Sequence, residues 1–147
     1  MKKVYTLMFF SILLVIIAVG CSSNKEKLTL DKKHSPLPDY VLNTSEKIEE
    51  TYTMAATYPE VLASVPCFCS CGMIGHKSNL DCFVGQFGDE NAVTEWSDHG
   101  VTCDVCIDIA QDSVEMYQDG KSLKKISDLI YKKYEDYGEA TPTPEPK

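Results

Sequence analysis

The chain has 147 residues, 24 % of them charged, with 14 basic against 22 acidic side chains and a formal net charge of −8. It contains no arginine, and this acidic, arginine-free balance argues against binding nucleic acid or anionic lipid heads. That length suits one domain with a modest core.

Taken in order, the chain opens on "MKKVYTLMFFSILLVIIAVGC". Two lysines precede an uncharged apolar run from Val4 to Val19, and small residues flank Val19 ahead of Cys21. This is the pattern of an export signal, since a spanning helix needs roughly 20 apolar residues. "AVGC" resembles a bacterial lipobox, with Ala18 standing where leucine is usual. That resemblance implies cleavage before Cys21 and a lipid on its sulfur. The expected location is therefore the extracytoplasmic face of the cell membrane, held by the lipid on Cys21. Residues 1–20 read as the signal peptide and 21–39 as a flexible tether with His34 solvated. Without the leader the basic count falls to 12 against the same 22 acidic residues, a net charge of −10.

Residues 40–138 read as the domain. Thr44 and Ser45 are cap candidates for a helix bearing Ile48, Tyr52, Ala55 and Ala56 on one face. Pro59 breaks it near Tyr58 and starts a short second helix to Ser64, which Pro66 stops. "PCFCSCG" then sets Cys67, Cys69 and Cys71 at every second position. In extended backbone these three point one way and Phe68 and Ser70 the other. Ser78 followed by Asp81 predicts a capped short helix carrying Cys82. "GDENAVTEWSDHG" reads as loop. "VTCDVCIDIAQDSVEMYQDG" is amphipathic, with Cys103 and Cys106 on its apolar face and Gly120 at its end. "KSLKKISDLIYKKYEDYG" is a second such helix, capped by Ser122, with Leu123, Ile126, Ile130 and Tyr134 as its stripe. The short link between them predicts an antiparallel pair. The expected fold is all-α: a small helical domain with a cysteine-rich irregular loop, preceded by the leader. Residues 139–147, rich in proline and threonine, read as a disordered tail.

Six cysteines besides Cys21 carry the chemistry. A period-two strip of three and an i, i+3 helical pair, with Cys82 between them, are able to converge on one point. Cys103 and Cys106 also stand at a helix N-terminus, which favours thiolates. Thiolates select soft ions, here copper(I) or zinc. His76 and His99 lie near the two cysteine groups and are candidate ligands, so the expected metal set is Cys67, Cys69, Cys71, Cys82, Cys103, Cys106, His76 and His99. An even cysteine count also allows three disulfides in 15 pairings, although cysteines two apart are poorly placed to pair with each other. Cys103 and Cys106 could instead be a redox dithiol, but no βαβ pattern surrounds them. No nucleophile–base pair, paired carboxylates or phosphate loop stands out, so a binding protein is expected rather than an enzyme. Its partners would be the membrane and a protein that donates or accepts the metal.

The order "PCFCSCG", "GHKSNLDCFV", "WSDHG", "CDVCIDIA" resembles that of the bacterial PCYCGC-motif lipoproteins, with Phe68 for the usual tyrosine and Ser70 for the usual glycine. The resemblance covers roughly residues 40–138 and the leader. It implies the lipoprotein location and the cysteine set, and no activity. Serine at position 70 argues against left-handed backbone there.

Overall fold

The computed structural model describes residues 27–146. The signal peptide, Cys21 and the start of the tether lie outside the described residues. Among the described residues, five α-helices and two strands follow in order: α1 (Asp39–Leu42), α2 (Glu46–Thr57), α3 (Pro59–Ala63), β1 (Val84–Phe87), β2 (Val93–Trp96), α4 (Asp104–Gln118) and α5 (Leu123–Tyr134). Among the described residues, no helix is long and apolar enough to cross a membrane.

The helices end where local chemistry says they should. Pro59 occupies the first turn of α3, and Tyr58 takes a non-helical φ of −124° between α2 and α3. Gly120 adopts φ 81°, and the next amide, Lys121 N, donates back to Met116 O at 3.1 Å. That left-handed closure ends α4 and turns the chain into α5. Ser122 caps α5 by accepting from Lys125 N.

Helix α4 runs between two apolar clusters and belongs to both. Cys106, Ile107, Ala110 and Val114 face Tyr52, Val61, Leu62 and Phe83. Ile109 joins Val65, Phe68, Ile126, Ile130 and Tyr134 on the α5 side. Consecutive residues Cys67 and Phe68 therefore enter opposite clusters, as alternation along an extended segment requires. Phe68 packs its ring edge-on to Tyr131 at 5.5 Å, which anchors the strip against α5.

The all-α expectation is wrong. About 52 % of the structure is helical, and β1 and β2 pair antiparallel with Val84 opposite Trp96 and Phe87 opposite Val93. The hairpin lies where a short helix and a loop were expected; of the expected short helix, Asn79–Cys82 forms a turn of 3-10 type. Two strands of four residues present too little alternation to register as a pattern. In their connection the left-handed positions fall not on Gly88 but on Glu90 and Asn91, at φ 54° and 56°.

Two segments expected to be loose are tied to the domain. His34, expected to be solvated, is buried. Its Nδ1 accepts from Val93 N at 2.9 Å, and Ser35 N donates to Val93 O at 2.8 Å. Burial lowers its pKa and keeps the ring neutral. Trp96 Nε1 donates to Ser35 O and Pro36 O, so residues 34–36 cover the edge of β2. At the other end Thr141 is buried against the cysteine strip.

Candidate metal centre

Pro66 stops the preceding turn and releases the strip into extended backbone. The strip does not stay extended. Ser70 takes a left-handed conformation, φ 62° and ψ 18°, and Cys71 begins a 3-10 turn running to Ile74. Against expectation, then, the three thiols converge through a kink at Ser70. Cys69 Sγ lies 3.2 Å from Cys67 Sγ and 2.6 Å from Cys71 Sγ.

Helix α4 brings the partner from the other side. Cys106 Sγ is 2.9 Å from Cys67 and 3.3 Å from Cys69. Cys82, delivered by the turn before β1, stands 3.3 Å from Cys106 and 3.7 Å from Cys67. Cys67, Cys82 and Cys106 are fully buried, whereas Cys69, Cys71 and Cys103 are half-buried. All six are free thiols. The sulfurs of Cys67, Cys69, Cys71 and Cys106 all lie within 4.8 Å of one another, close enough to bind one metal ion. For comparison, bonds of about 2.3 Å set the edge of a zinc–thiolate tetrahedron near ~3.8 Å.

The remaining expected ligands are sorted by the fold. Cys103 is the N-cap of α4, its sulfur accepting from Cys106 N at 3.3 Å, and it stands outside that four-sulfur group. His76 Nδ1 lies 3.6 Å from Cys82 Sγ. Cys71, His76 and Cys82 form a second group of three potential ligands. His99 is one step further out: its Nδ1 is 2.9 Å from His76 Nε2, and it approaches no sulfur by that route.

Charge is unevenly shared among the thiols. Hydrogen bonds from Cys103, Cys106 and Cys82 hold the Cys67 thiol far below its ordinary range. Cys69 is lowered to about 5, chiefly by a hydrogen bond from Cys82. Burial and the hydrogen bond to Cys69 push Cys71 up to about 12. For Cys103 a hydrogen bond from Cys106 pulls down, but Cys67 and burial outweigh it and raise the group to about 12. Cys106 is raised by hydrogen bonding to Cys103 and Cys67. These shifts favour the thiolate at Cys67 and Cys69 and the protonated form at Cys71 and the helical pair, the reverse of what the helix N-terminus alone suggested.

A labelling order follows. In reduced, metal-free protein at pH 7, Cys69 and buried Cys67 are expected to favour the thiolate, and Cys71 and Cys103 the thiol. Iodoacetamide is expected to modify Cys69 first, with a rate that falls only as pH drops through about 5. Rates at Cys71 and Cys103 should keep climbing toward pH 12. Peptide mass spectrometry after timed quenching reads this directly, and equal labelling of Cys69 and Cys71 at pH 7 would contradict it.

Three residues that hold the site were not read from the sequence. Thr141 clasps Cys67 from both sides: its N donates to Cys67 O at 2.9 Å, and its hydroxyl accepts from Cys67 N at 2.9 Å. Thr143 continues the strap, donating to Lys77 O at 2.6 Å. Buried Asn79 donates from Nδ2 to Cys106 O at 3.0 Å, linking the Cys82 turn to α4. Asn79 fell within the predicted capping turn, but nothing near Thr141 in sequence signals its role.

Residues 10–146 match the model of a family described as "Protein of unknown function with PCYCGC motif". The chain belongs to this family. No curated protein and no solved structure matches it. The PCYCGC motif falls on residues 66–71, where Ser70 replaces its glycine. Left-handed backbone costs a non-glycine residue roughly 1–2 kcal/mol, partly offset by the greater chain entropy that glycine loses on folding. Ser70→Gly is therefore expected to stabilise the chain by about 0.5–1 kcal/mol. A rise in the urea midpoint at unchanged slope would show it; a fall would mean that the serine side chain supports the turn.

Proposed function

We propose that this chain is a lipid-anchored extracytoplasmic protein that binds a soft metal ion, copper(I) or zinc, through its clustered cysteines, for capture, buffering or delivery. The observation that carries this reading is the convergence of four free thiols from two distant segments within 4.8 Å. Soft ions prefer such sulfur sets. Two of the four already favour the thiolate form that a metal requires. A bound ion would supply the positive charge that this crowded, partly anionic cluster lacks. Binding rather than catalysis is the reading, with the membrane and a metal-exchanging protein as partners.

To test it, the full chain is purified in detergent without oxygen and its metal content and free thiols are measured. The expected result is at least one equivalent of copper or zinc, with thiols masked until a chelator is added. Folded protein that refuses both ions while showing six titratable thiols would sink the proposal. So would protein isolated with three native disulfides.

One observation favours a second reading, a disulfide-stapled interaction module. Cys67 and Cys106 lie 2.9 Å apart although 39 residues separate them. Their two-electron oxidation would staple the strip to α4. A mass gain of two hydrogens per bridge on reduction distinguishes this outcome.

A further inference from the structure

Not every donor around the cluster belongs to the four-sulfur group. Cys82 Sγ and His76 Nδ1 are excluded from it, yet with Cys71 they make a second group whose atoms also lie within 4.8 Å of one another. Cys71 is common to both groups. A thiolate has lone pairs enough to bridge two ions, so one shared sulfur can serve two adjacent positions.

The histidine is oriented for this role. His76 Nε2 is 2.9 Å from His99 Nδ1, and His76 Nδ1 faces Cys82. If Nε2 of His76 carries the proton and donates to His99, the lone pair of Nδ1 is left aimed at the cysteines. In that tautomer His99 Nε2 carries the proton, and Asp98 Oδ1 lies 3.8 Å from it. A carboxylate, an imidazole and a liganding imidazole then stand in series, the arrangement by which an outer partner fixes a metal-binding histidine. The inner group has two fully buried donors, Cys67 and Cys106, and the outer group one, Cys82, with His76 half-buried and backed by His99, whose side chain is 46 % exposed.

Resting on the metal-binding reading above, we infer that the centre holds two soft ions: an inner one on Cys67, Cys69, Cys71 and Cys106, and an outer one on Cys71, Cys82 and His76, with His99 as the residue that positions His76. The outer position has two sulfurs and one nitrogen. Structural zinc sites are almost always four-coordinate, whereas soft copper(I) is satisfied by three donors, so copper(I) is the ion this position suits. Its histidine stands beside the half-exposed His99 imidazole.

The test is an anaerobic titration of the detergent-solubilised full chain with copper(I), in competition with a chromophoric copper(I) chelator. The native chain is expected to take two equivalents. His76→Ala should take one. His99→Ala should still take two, with the weaker site loosened roughly 10- to 100-fold. X-ray absorption of the two-copper native protein should show a nitrogen donor beside the sulfurs and a short copper–copper distance. That measurement decides the matter even if a variant does not fold. A native chain that saturates at one equivalent overturns the two-ion inference and leaves the metal-binding reading standing. So do an unchanged stoichiometry in His76→Ala and a copper shell of sulfur alone. A native chain that takes no copper(I) and no zinc overturns both.

Discussion

Cys106→Ser is expected to weaken copper(I) or zinc binding by at least about 100-fold, because it removes the sulfur on which the other segments converge. Cys106 Sγ lies within 3.3 Å of Cys67, Cys69 and Cys82, and so joins α4 to both the strip and the Cys82 turn. A serine hydroxyl is a hard donor on a shorter bond and would serve a soft ion poorly. Altering even an outer partner of a ligand typically costs 10- to 100-fold, so loss of a shared ligand should cost at least as much. The size change is small, and the α4 apolar face of Ile107, Ala110 and Val114 is untouched, so the fold should survive. Cys103→Ser is the matched control. Cys103 caps α4 outside the four-sulfur group, and serine is itself a good N-cap, so its affinity loss should be under about 10-fold. Chelator competition on both variants gives the comparison, with circular dichroism confirming helicity. Equal affinities for Cys106→Ser and the native chain would remove Cys106 from the site.

A single added methyl group is expected to cost this fold much of its stability. A Cβ on Gly100 would stand 2.6 and 2.7 Å from two carbons of the Phe83 ring and 2.9 Å from the Tyr52 hydroxyl. Neither neighbour has room to retreat. Tyr52 and Phe83 are fully buried and meet edge-to-face at 5.2 Å, and the Tyr52 hydroxyl donates to Ser97 O at 2.6 Å. Overpacking of this kind typically costs about 1–3 kcal/mol. Gly100→Ala is expected near the upper end, roughly 2–3 kcal/mol, because relief in one direction breaks the hydrogen bond and in the other displaces the ring. Phe83 follows Cys82 and Gly100 follows His99, so the same shift should disturb the outer histidine–cysteine group. Urea unfolding measures the cost. A change below about 0.5 kcal/mol would show that the Tyr52–Phe83 pair yields more easily than its burial implies.

The parts of this molecule that were legible in its sequence are those fixed by local chemistry. Pro59 divides α2 from α3 because its ring cannot be accommodated within a helix. Ser78 and Asp81 form the predicted capping turn, with Ser78 N donating to Asp81 at 3.2 Å. Gly120 and Ser122 set the joint between α4 and α5. The hairpin was not legible, because Val84, Val93 and Trp96 acquire strand geometry only by pairing with each other, and Glu90 and Asn91 are unremarkable turn residues until that pairing forces them left-handed. The same reason hid the roles of His34 and Thr141. Each sits in a polar, proline-containing stretch with no periodicity, and each is ordered by one distant backbone: Val93 for His34, Cys67 for Thr141.

For the candidate site the division is similar. Residue types and spacings by themselves determined which side chains were available: three thiols at period two, a pair one helical turn apart, one cysteine and two histidines between. They also determined the motif by which the family is recognised. Only the tertiary structure decided how these donors are divided. It placed Cys106 rather than Cys103 among the four sulfurs, kept Cys71 in reach through the Ser70 kink, and set His76 against Cys82 with His99 behind it. Spacing along a chain dictates which side chains share a face of one element. Which faces meet depends on the packing of α4 against α2, α3 and α5, and that is settled by burying the two apolar clusters rather than by the cysteines themselves.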